Sequence, residues 1–292
     1  MISDSTRSRL RIAGQAAERL LSSHPGTAVW LEGALACGLA HATSDIDLRL
    51  LGDAPDLPGS RSWLSDGVRI DLQVSTPDQM EQLRGLLRGF DVRADDLALF
   101  RRVRRDLPAL TCLRTAKRYQ AGQWIPVINS GEAEVYRAWG VADRAETVAS
   151  LTEDLIGLIV DGLYASADLV LERLALTLAS AECAAAGQPL LGEKWLPLMA
   201  DQPWSPRPLS ALWQDTSWGW FRPIQRRLTS ALLSCHLVNG ASGEPNPVSV
   251  SGSGWLPQRY SDGWFLRRAD DRVPLTDAAL LAWAKHLESA TA

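Results

Sequence analysis

Hydrophobic positions in the first hundred residues switch between two periods, and each switch predicts an element. Over residues 5–23, Leu10, Ala13, Ala17, Leu20 and Leu21 fall on one face with Arg and Glu elsewhere, the pattern of an amphipathic helix. His24-Pro25-Gly26 ends it. Ala28 to Leu31 reads as a short apolar strand closed by Gly33, and Leu35 to Leu39 as a short helix. From Asp45 to Leu51 the period becomes two: Asp45, Asp47 and Arg49 face one way, Ile46, Leu48 and Leu50 the other. Alternation of that length predicts a strand. A loop of Gly, Pro and Asp follows from Gly52 to Gly59. A second alternating strand runs from Val68 to Val74, with Arg69, Asp71 and Gln73 on its polar face. Thr76-Pro77-Asp78 has the form of a helix start with proline in the first turn.

Beyond about residue 95 the strand signal fades. Leu97–Val103 and Leu110–Gln120 are predicted helical. Glu146 to Ala186 reads as two helices broken near Tyr164 to Asp168. Leu209 to Val238 reads as mostly helical with a Trp-rich start, and Leu275 to Ala290 as a closing amphipathic helix. Residues 240–263 carry many Gly, Ser and Pro and predict loop or a short hairpin. The result is a small α/β domain followed by a mostly helical one, with the boundary between about 105 and 145.

Composition changes this picture little, but it narrows the function. A chain of 292 residues fits about two domains and can bury a core without staples. The net charge is −4, with an isoelectric point of about 5.6. That balance argues against a nucleic-acid polymer as partner, because phosphate contacts call for a basic face. Arg101, Arg102, Arg104 and Arg105 form a local basic run, read as a solvated helix face or a patch for a polyanionic acceptor or partner. Cys37, Cys112, Cys183 and Cys235 are widely spaced and form no metal or disulfide pattern. The polar residues 1–11 and the lack of a long apolar run predict a soluble, cytoplasmic protein without a membrane partner.

The chemistry gathers on the two alternating strands. Asp45 and Asp47 sit two apart and point to one face; Asp71 sits on the polar face of the later strand. If the strands are neighbours, three carboxylates converge, repel one another and need cations. All-oxygen ligands suit Mg2+. Two such ions about 4 Å apart clamp the attacking and leaving oxygens of a phosphoryl displacement. Gly33, twelve residues before Asp45, lets backbone approach a triphosphate, and the short helix after it would offer N–H groups to anionic oxygens.

Leu31-Glu32-Gly33-Ala34, then Thr43-Ser44-Asp45-Ile46-Asp47-Leu48, then Ile70-Asp71-Leu72, resembles the nucleotidyltransferase superfamily of the polymerase-beta type. The family pattern is Gly-Ser, a spacer, Ser-Asp-hydrophobic-Asp and a later hydrophobic-Asp-hydrophobic strand; here it covers residues 26–76. The resemblance implies an α+β fold: a mixed sheet with flanking helices as catalytic domain over 1–110, and a mostly helical domain over 111–292. It implies Asp45 and Asp47 as bridging metal ligands, and Asp71 as ligand of the metal that activates the acceptor hydroxyl and as general base. It places Gly33, Ala34, Ser44, Arg49 and Lys194 at the nucleotide. Mg2+ is the implied cofactor and ATP the implied donor, with AMP passing to a hydroxyl of a small molecule and pyrophosphate leaving. The domain layout is similar to aminoglycoside and lincosamide nucleotidyltransferases, in which a homodimer is common. One position departs from the pattern: the family serine after the glycine is Ala34, a loss of one hydrogen bond of about 1–3 kcal/mol to a charged group.

Several candidates have two readings. Ser44 contacts phosphate or caps a turn. Arg49 contacts phosphate or balances the acids. His41 is a surface histidine or part of the site. Lys194 reaches the triphosphate or lies exposed beside a buried Trp195. Asp154, Asp161 and Glu153 serve the acceptor or form a solvated stripe. Of twelve tryptophans, eight follow residue 190, Trp213, Trp218 and Trp220 among them, and they line an acceptor pocket or fill the core. Besides the small-molecule enzyme, two other functions fit: a protein-modifying nucleotidyltransferase, and a catalytically decayed nucleotide-binding module marked by Ala34.

Overall fold

Alternation at residues 46–51 and 68–75 builds the centre of a mixed sheet. In the computed structural model, which describes residues 3–52, 54, 57–88, 97–199, 221–235, 254–260 and 262–289, β2 (Ile46–Leu51) and β4 (Val68–Ser75) pair in parallel, in register from Ile46 opposite Ile70 to Leu51 opposite Ser75. β1 (Ala28–Leu31) runs antiparallel on the other side of β2, and β3 (Ser60–Ser65) antiparallel on the outside of β4. A hairpin of β5 (Lys117–Gln120) and β6 (Gln123–Pro126) extends the sheet beyond β1, giving the order β3-β4-β2-β1-β5-β6.

One face of this sheet is apolar because period two makes it so. Ile46, Leu48, Leu50, Ile70 and Leu72 are buried there with Val29 and Leu31. Helix α1 (Asp4–Ser23) covers them with Ile12, Ala13, Ala16 and Ala17, small enough to let helix and sheet approach. Ser3 caps α1 by accepting from the Thr6 amide at 3.1 Å. Its Arg9 is buried and donates to the Ser44 and Ala42 carbonyls at 2.7 and 2.6 Å, which ties the loop before β2 to the helix. The short α2 (Gly33–Ala36) follows β1, and α3 (Pro77–Gly85) opens with a reciprocal capping box between Thr76 and Gln79.

Helices α4 (Leu97–Thr115) and α5 (Ser130–Val160) contribute to both of the compact units into which the chain divides: residues 1–90 with 105–136, and 91–104 with 137–292. The second unit contains the rest of α5, then α6 (Tyr164–Ala185), a 3-10 turn (Glu193–Trp195), α7 (Leu196–Met199), α8 (Phe221–Cys235) and α9 (Asp277–Ser289). It also holds an antiparallel sheet of β7 (Leu256–Tyr260), β8 (Gly263–Arg268) and β9 (Asp271–Leu275). Its core joins Val148, Leu155, Leu174 and Leu178 of α5 and α6 to Phe221, Ile224 and Leu228 of α8 and to Trp264 and Leu266 of β8. Among the described residues, no helix is long and apolar enough to cross a membrane.

The architecture is α+β, with a mixed sheet and flanking helices first and a largely helical part after it. Several boundaries differ from the sequence reading. The two helices expected at 97–103 and 110–120 are one, α4, which carries Pro108 inside it, and residues 117–120 are strand β5. The first sheet therefore reaches residue 126, past a cut at 110. β3 was not expected because its sequence, Ser60–Ser65, is a polar and mostly exposed edge strand. Helix α5 begins at Ser130 instead of Glu146, and the break before α6 falls at 161–163. The hairpin expected before residue 263 is part of a three-stranded sheet. Trp195, Trp255 and Trp264 are buried in the second unit, as core; Trp213, Trp218 and Trp220, and the segments 209–220, 236–238 and 240–253, lie outside the described residues.

Ile70 has no solvent exposure, whereas Leu64 on the edge strand is 72% exposed. Ile70→Ala is expected to cost about 2–5 kcal/mol of unfolding free energy, and Leu64→Ala no more than about 0.5 kcal/mol. Urea unfolding monitored by tryptophan fluorescence checks both; equal midpoints for the two variants would contradict the placement of β4.

Candidate active site

The register that opposes Ile46 to Ile70 also opposes Asp47 to Asp71, one step along. Asp45 precedes β2 by one residue. One carboxylate oxygen from each of Asp45, Asp47 and Asp71 lies within 4.8 Å of the other two. β2 and β4 are neighbours, the condition under which the sequence brings the three carboxylates together.

Their surroundings are not equivalent. Asp71 is held by Arg69, its neighbour two residues back on β4, with Nε donating to Oδ1 and Nη2 lying 2.8 Å from Oδ2. The Ser62 hydroxyl, from the facing position of β3, donates to the same carboxylate. The Arg69 hydrogen bond, helped by Ser62, holds the Asp71 carboxyl below its ordinary range despite some burial. Asp47 goes the other way and is pushed up to about 6. The main cause is partial withdrawal from water; Asp45, Asp71 and Glu32 add repulsion, and Arg69 opposes it.

Gly33 sets the near wall. Its φ is +70°, and a Cβ built on it would stand 2.7 Å from Asp47 Oδ2. Only glycine allows both that backbone conformation and that approach. The Gly33 amide donates to the Thr115 hydroxyl at 2.9 Å, so the last turn of α4 fixes the loop. The Gly33 amide is therefore not among the N–H groups that α2 could offer to an anion. Ala34 is half-buried in α2, and its carbonyl accepts from the Cys37 and Leu39 amides.

The other candidates fall into place around this core. Ser44 closes a turn: its hydroxyl accepts from the His41 amide at 3.0 Å while its own amide donates to the His41 carbonyl. His41 is exposed, with its ring Nδ1 beside Thr43. Arg49 shares the strand face of Asp45 and Asp47 but is buried and engaged. It grips Glu32 with Nε at 2.6 Å and Nη2 at 3.0 Å, and also donates to Ser75 Oγ and Gln73 Oε1. Its hydrogen bonds go to protein, and the acid it balances is Glu32 instead of Asp45 or Asp47. Lys194 belongs to the second unit, where it is exposed with its ammonium 5.3 Å from the centre of the Trp195 ring. Glu153, also in that unit, accepts from the Ala269 amide; Asp154 and Asp161 are exposed. Of the basic run, Arg104 pairs with Asp143 and Arg105 with Asp106.

Sequence reasoning passed over Glu32, Ser62, Arg69 and Thr115. Arg69 and Glu32 were within reach, since they flank residues already singled out. Ser62 required strand β3, and Thr115 comes from 82 residues away.

The donor set fits a hard divalent cation: three carboxylates, oxygen ligands only, with one oxygen of each within 4.8 Å of the others. No family model and no curated protein matches the chain. Among solved structures it is similar to a nucleotidyltransferase-like protein from Exiguobacterium sibiricum 255-15, at 13% identity over 76% of this chain and 72% of that one, with a TM-score of 0.33. The functional reading therefore rests on the site's own residues.

Without cations, the folded protein keeps the Asp47 proton to about pH 6, whereas the unfolded chain releases it near 3.8. Stability from this group is thus full below pH 3.8, falls as pH rises toward 6 and is level above. In EDTA, the melting temperature of Asp47→Asn relative to wild type is expected to climb between those two pH values and then plateau. A difference independent of pH would show that Asp47 is not crowded.

Proposed function

We propose that the chain is a divalent-cation-dependent nucleotidyltransferase that moves AMP from ATP to a hydroxyl of a small molecule and releases pyrophosphate. The observation that carries this reading is the convergence of the Asp45, Asp47 and Asp71 oxygens within 4.8 Å, beside a glycine whose missing Cβ leaves room against Asp47. Mg2+ held there would supply charge neutralisation for the phosphates and acidify the acceptor hydroxyl. Asp45 and Asp47 are the open ligands of the cluster. Asp71, kept ionised by Arg69 and Ser62, is ready as a ligand, and is a weak proton acceptor as long as Arg69 holds it. In the transfer, the acceptor oxygen bonds to the α-phosphorus and the bond to the bridging oxygen breaks. The electron pair leaves with pyrophosphate, and the hydroxyl proton passes to Asp71 or to water. The net charge of −4 favours a cationic small acceptor over tRNA or DNA. A cytoplasmic homodimer is the setting we propose.

A second reading, a nucleotide-binding module without turnover, has its own support. Ala34 lacks the hydroxyl expected at the phosphates, and Asp71 is already occupied by Arg69 and Ser62.

Titration calorimetry with ATP, GTP, CTP and UTP, with and without Mg2+, tests both. Wild type is expected to bind ATP only with Mg2+, and the Asp45→Asn, Asp47→Asn double variant to lose that binding. Failure of wild type to bind any of the four nucleotides would overturn the proposal. Binding without pyrophosphate release across a panel of hydroxylated amines would favour the module.

A further inference from the structure

A fourth carboxylate, which the cation reading leaves unused, lies beside the polar face of β2. Glu32 sits at the end of β1, next to Gly33, and is 4% exposed. Its amide donates to the Asp47 carbonyl at 3.0 Å, so its backbone is joined to the acidic strand at the site itself. Its negative charge reaches the Asp47 carboxyl. What keeps it apart from the other acids is Arg49. The guanidinium takes both Glu32 oxygens at 2.6 and 3.0 Å, and is itself pinned by Ser75 at 2.6 Å and Gln73 at 2.8 Å. A planar guanidinium bound in two directions has no rotamer freedom left to give.

We propose that Arg49 is a positioning residue of the carboxylate site: by neutralising and holding Glu32, it fixes at three the number of acidic groups open to a cation, and it anchors the Glu32-Gly33 wall against Asp47. The inference rests on the cation reading above and adds a charge-setting pair to it. The pair carries no net charge. The cluster beside it therefore carries the charge of its three aspartates offset by Arg69, plus what the separated charges of the pair leave uncancelled, Glu32 still adding repulsion at Asp47. Removing either partner alone changes the charge facing a cation by one unit, in opposite directions, whereas removing both changes it by none.

That symmetry gives the test a signature that a purely structural pair lacks. Mn2+ binding to the full-length protein is measured by calorimetry without nucleotide, alongside thermal melting to confirm folding. Arg49→Met leaves Glu32 uncompensated and is expected to tighten Mn2+ about threefold to tenfold; Glu32→Gln leaves the guanidinium facing Asp47 and is expected to weaken it by a similar factor. The Glu32→Gln, Arg49→Met double variant is expected within about twofold of wild type, since the charges cancel. Arg49→Lys retains the charge and is expected to keep wild-type Mn2+ affinity even if it melts earlier. If Arg49→Met does not fold, the Glu32→Gln and double variants still separate the outcomes. Equal affinities in all folded variants, or a double variant that follows either single one, would overturn the role of the pair while leaving the cation site standing. A wild type that takes up no Mn2+ would overturn both.

Discussion

The in-register parallel pairing of β2 with β4 is the constraint on which the rest depends. It sets Asp47 directly against Asp71, an arrangement that costs energy in the absence of a cation. What holds the register is the opposite face. A slip of β2 by one residue would turn Asp47 into the core and Leu48 out to water. Burial of Ile46, Leu48, Leu50, Ile70 and Leu72 under α1 makes that slip far more expensive than the repulsion it would relieve. The apolar half of the pattern thus fixes the geometry of the polar half.

Along the polar face, two charge regimes follow one another within a few residues. At the start of the strands Asp45, Asp47 and Asp71 are grouped, with the first two exposed. Two residues further on, Arg49 and Glu32 are sealed, and Gln73 and Ser75 complete the hydrogen bonds of the guanidinium. A buried ion pair is costly to desolvate and is sustained only where its remaining donors are met. Here they are, which accounts for a charged pair at the end of a core strand. The same arrangement lets Gly33 lie against Asp47 without Glu32 entering the cluster.

Much of this was legible in the sequence, and the exceptions have physical causes. β2 and β4 follow from alternation, because each has one face committed to a core, and β1 from its short apolar run. β3 has no such face: Ser60–Ser65 is an edge with most side chains in water, and period carries no information there. Its presence was nevertheless written in Asp66-Gly67, a two-residue turn with φ of 50° and 74°, the strongest short-range hairpin signal. The β5–β6 turn uses Ala121-Gly122 at φ 48° and 81°, and alanine in that conformation gives no such warning. The convergence of Asp45, Asp47 and Asp71 was legible because alternation puts each on a polar face and spacing brings the strands together. Arg49 was ambiguous because facing the acids is a one-dimensional property. Whether its side chain reaches a ligand or Glu32 depends on where β1 ends beside it, which only the fold decides.

The two arginines of the site differ in a way that bears on loading. Arg69 bonds Asp71 with its own side chain 62% exposed, whereas the Arg49 and Glu32 side chains are 10% and 5% exposed. Ion pairs in water contribute little and exchange readily, while a buried pair cannot lose one partner without stranding the other. A divalent cation bound as proposed would have to displace only this exposed contact at Asp71, with Asp45 and Asp47 beside it. Against Arg49 it has no such opening. The exposed pair holds Asp71 ionised and oriented and would yield to a cation bound as proposed; the buried pair would stay closed. One position on the strand face is thus exchangeable and the next is permanent, and burial, more than charge, separates them.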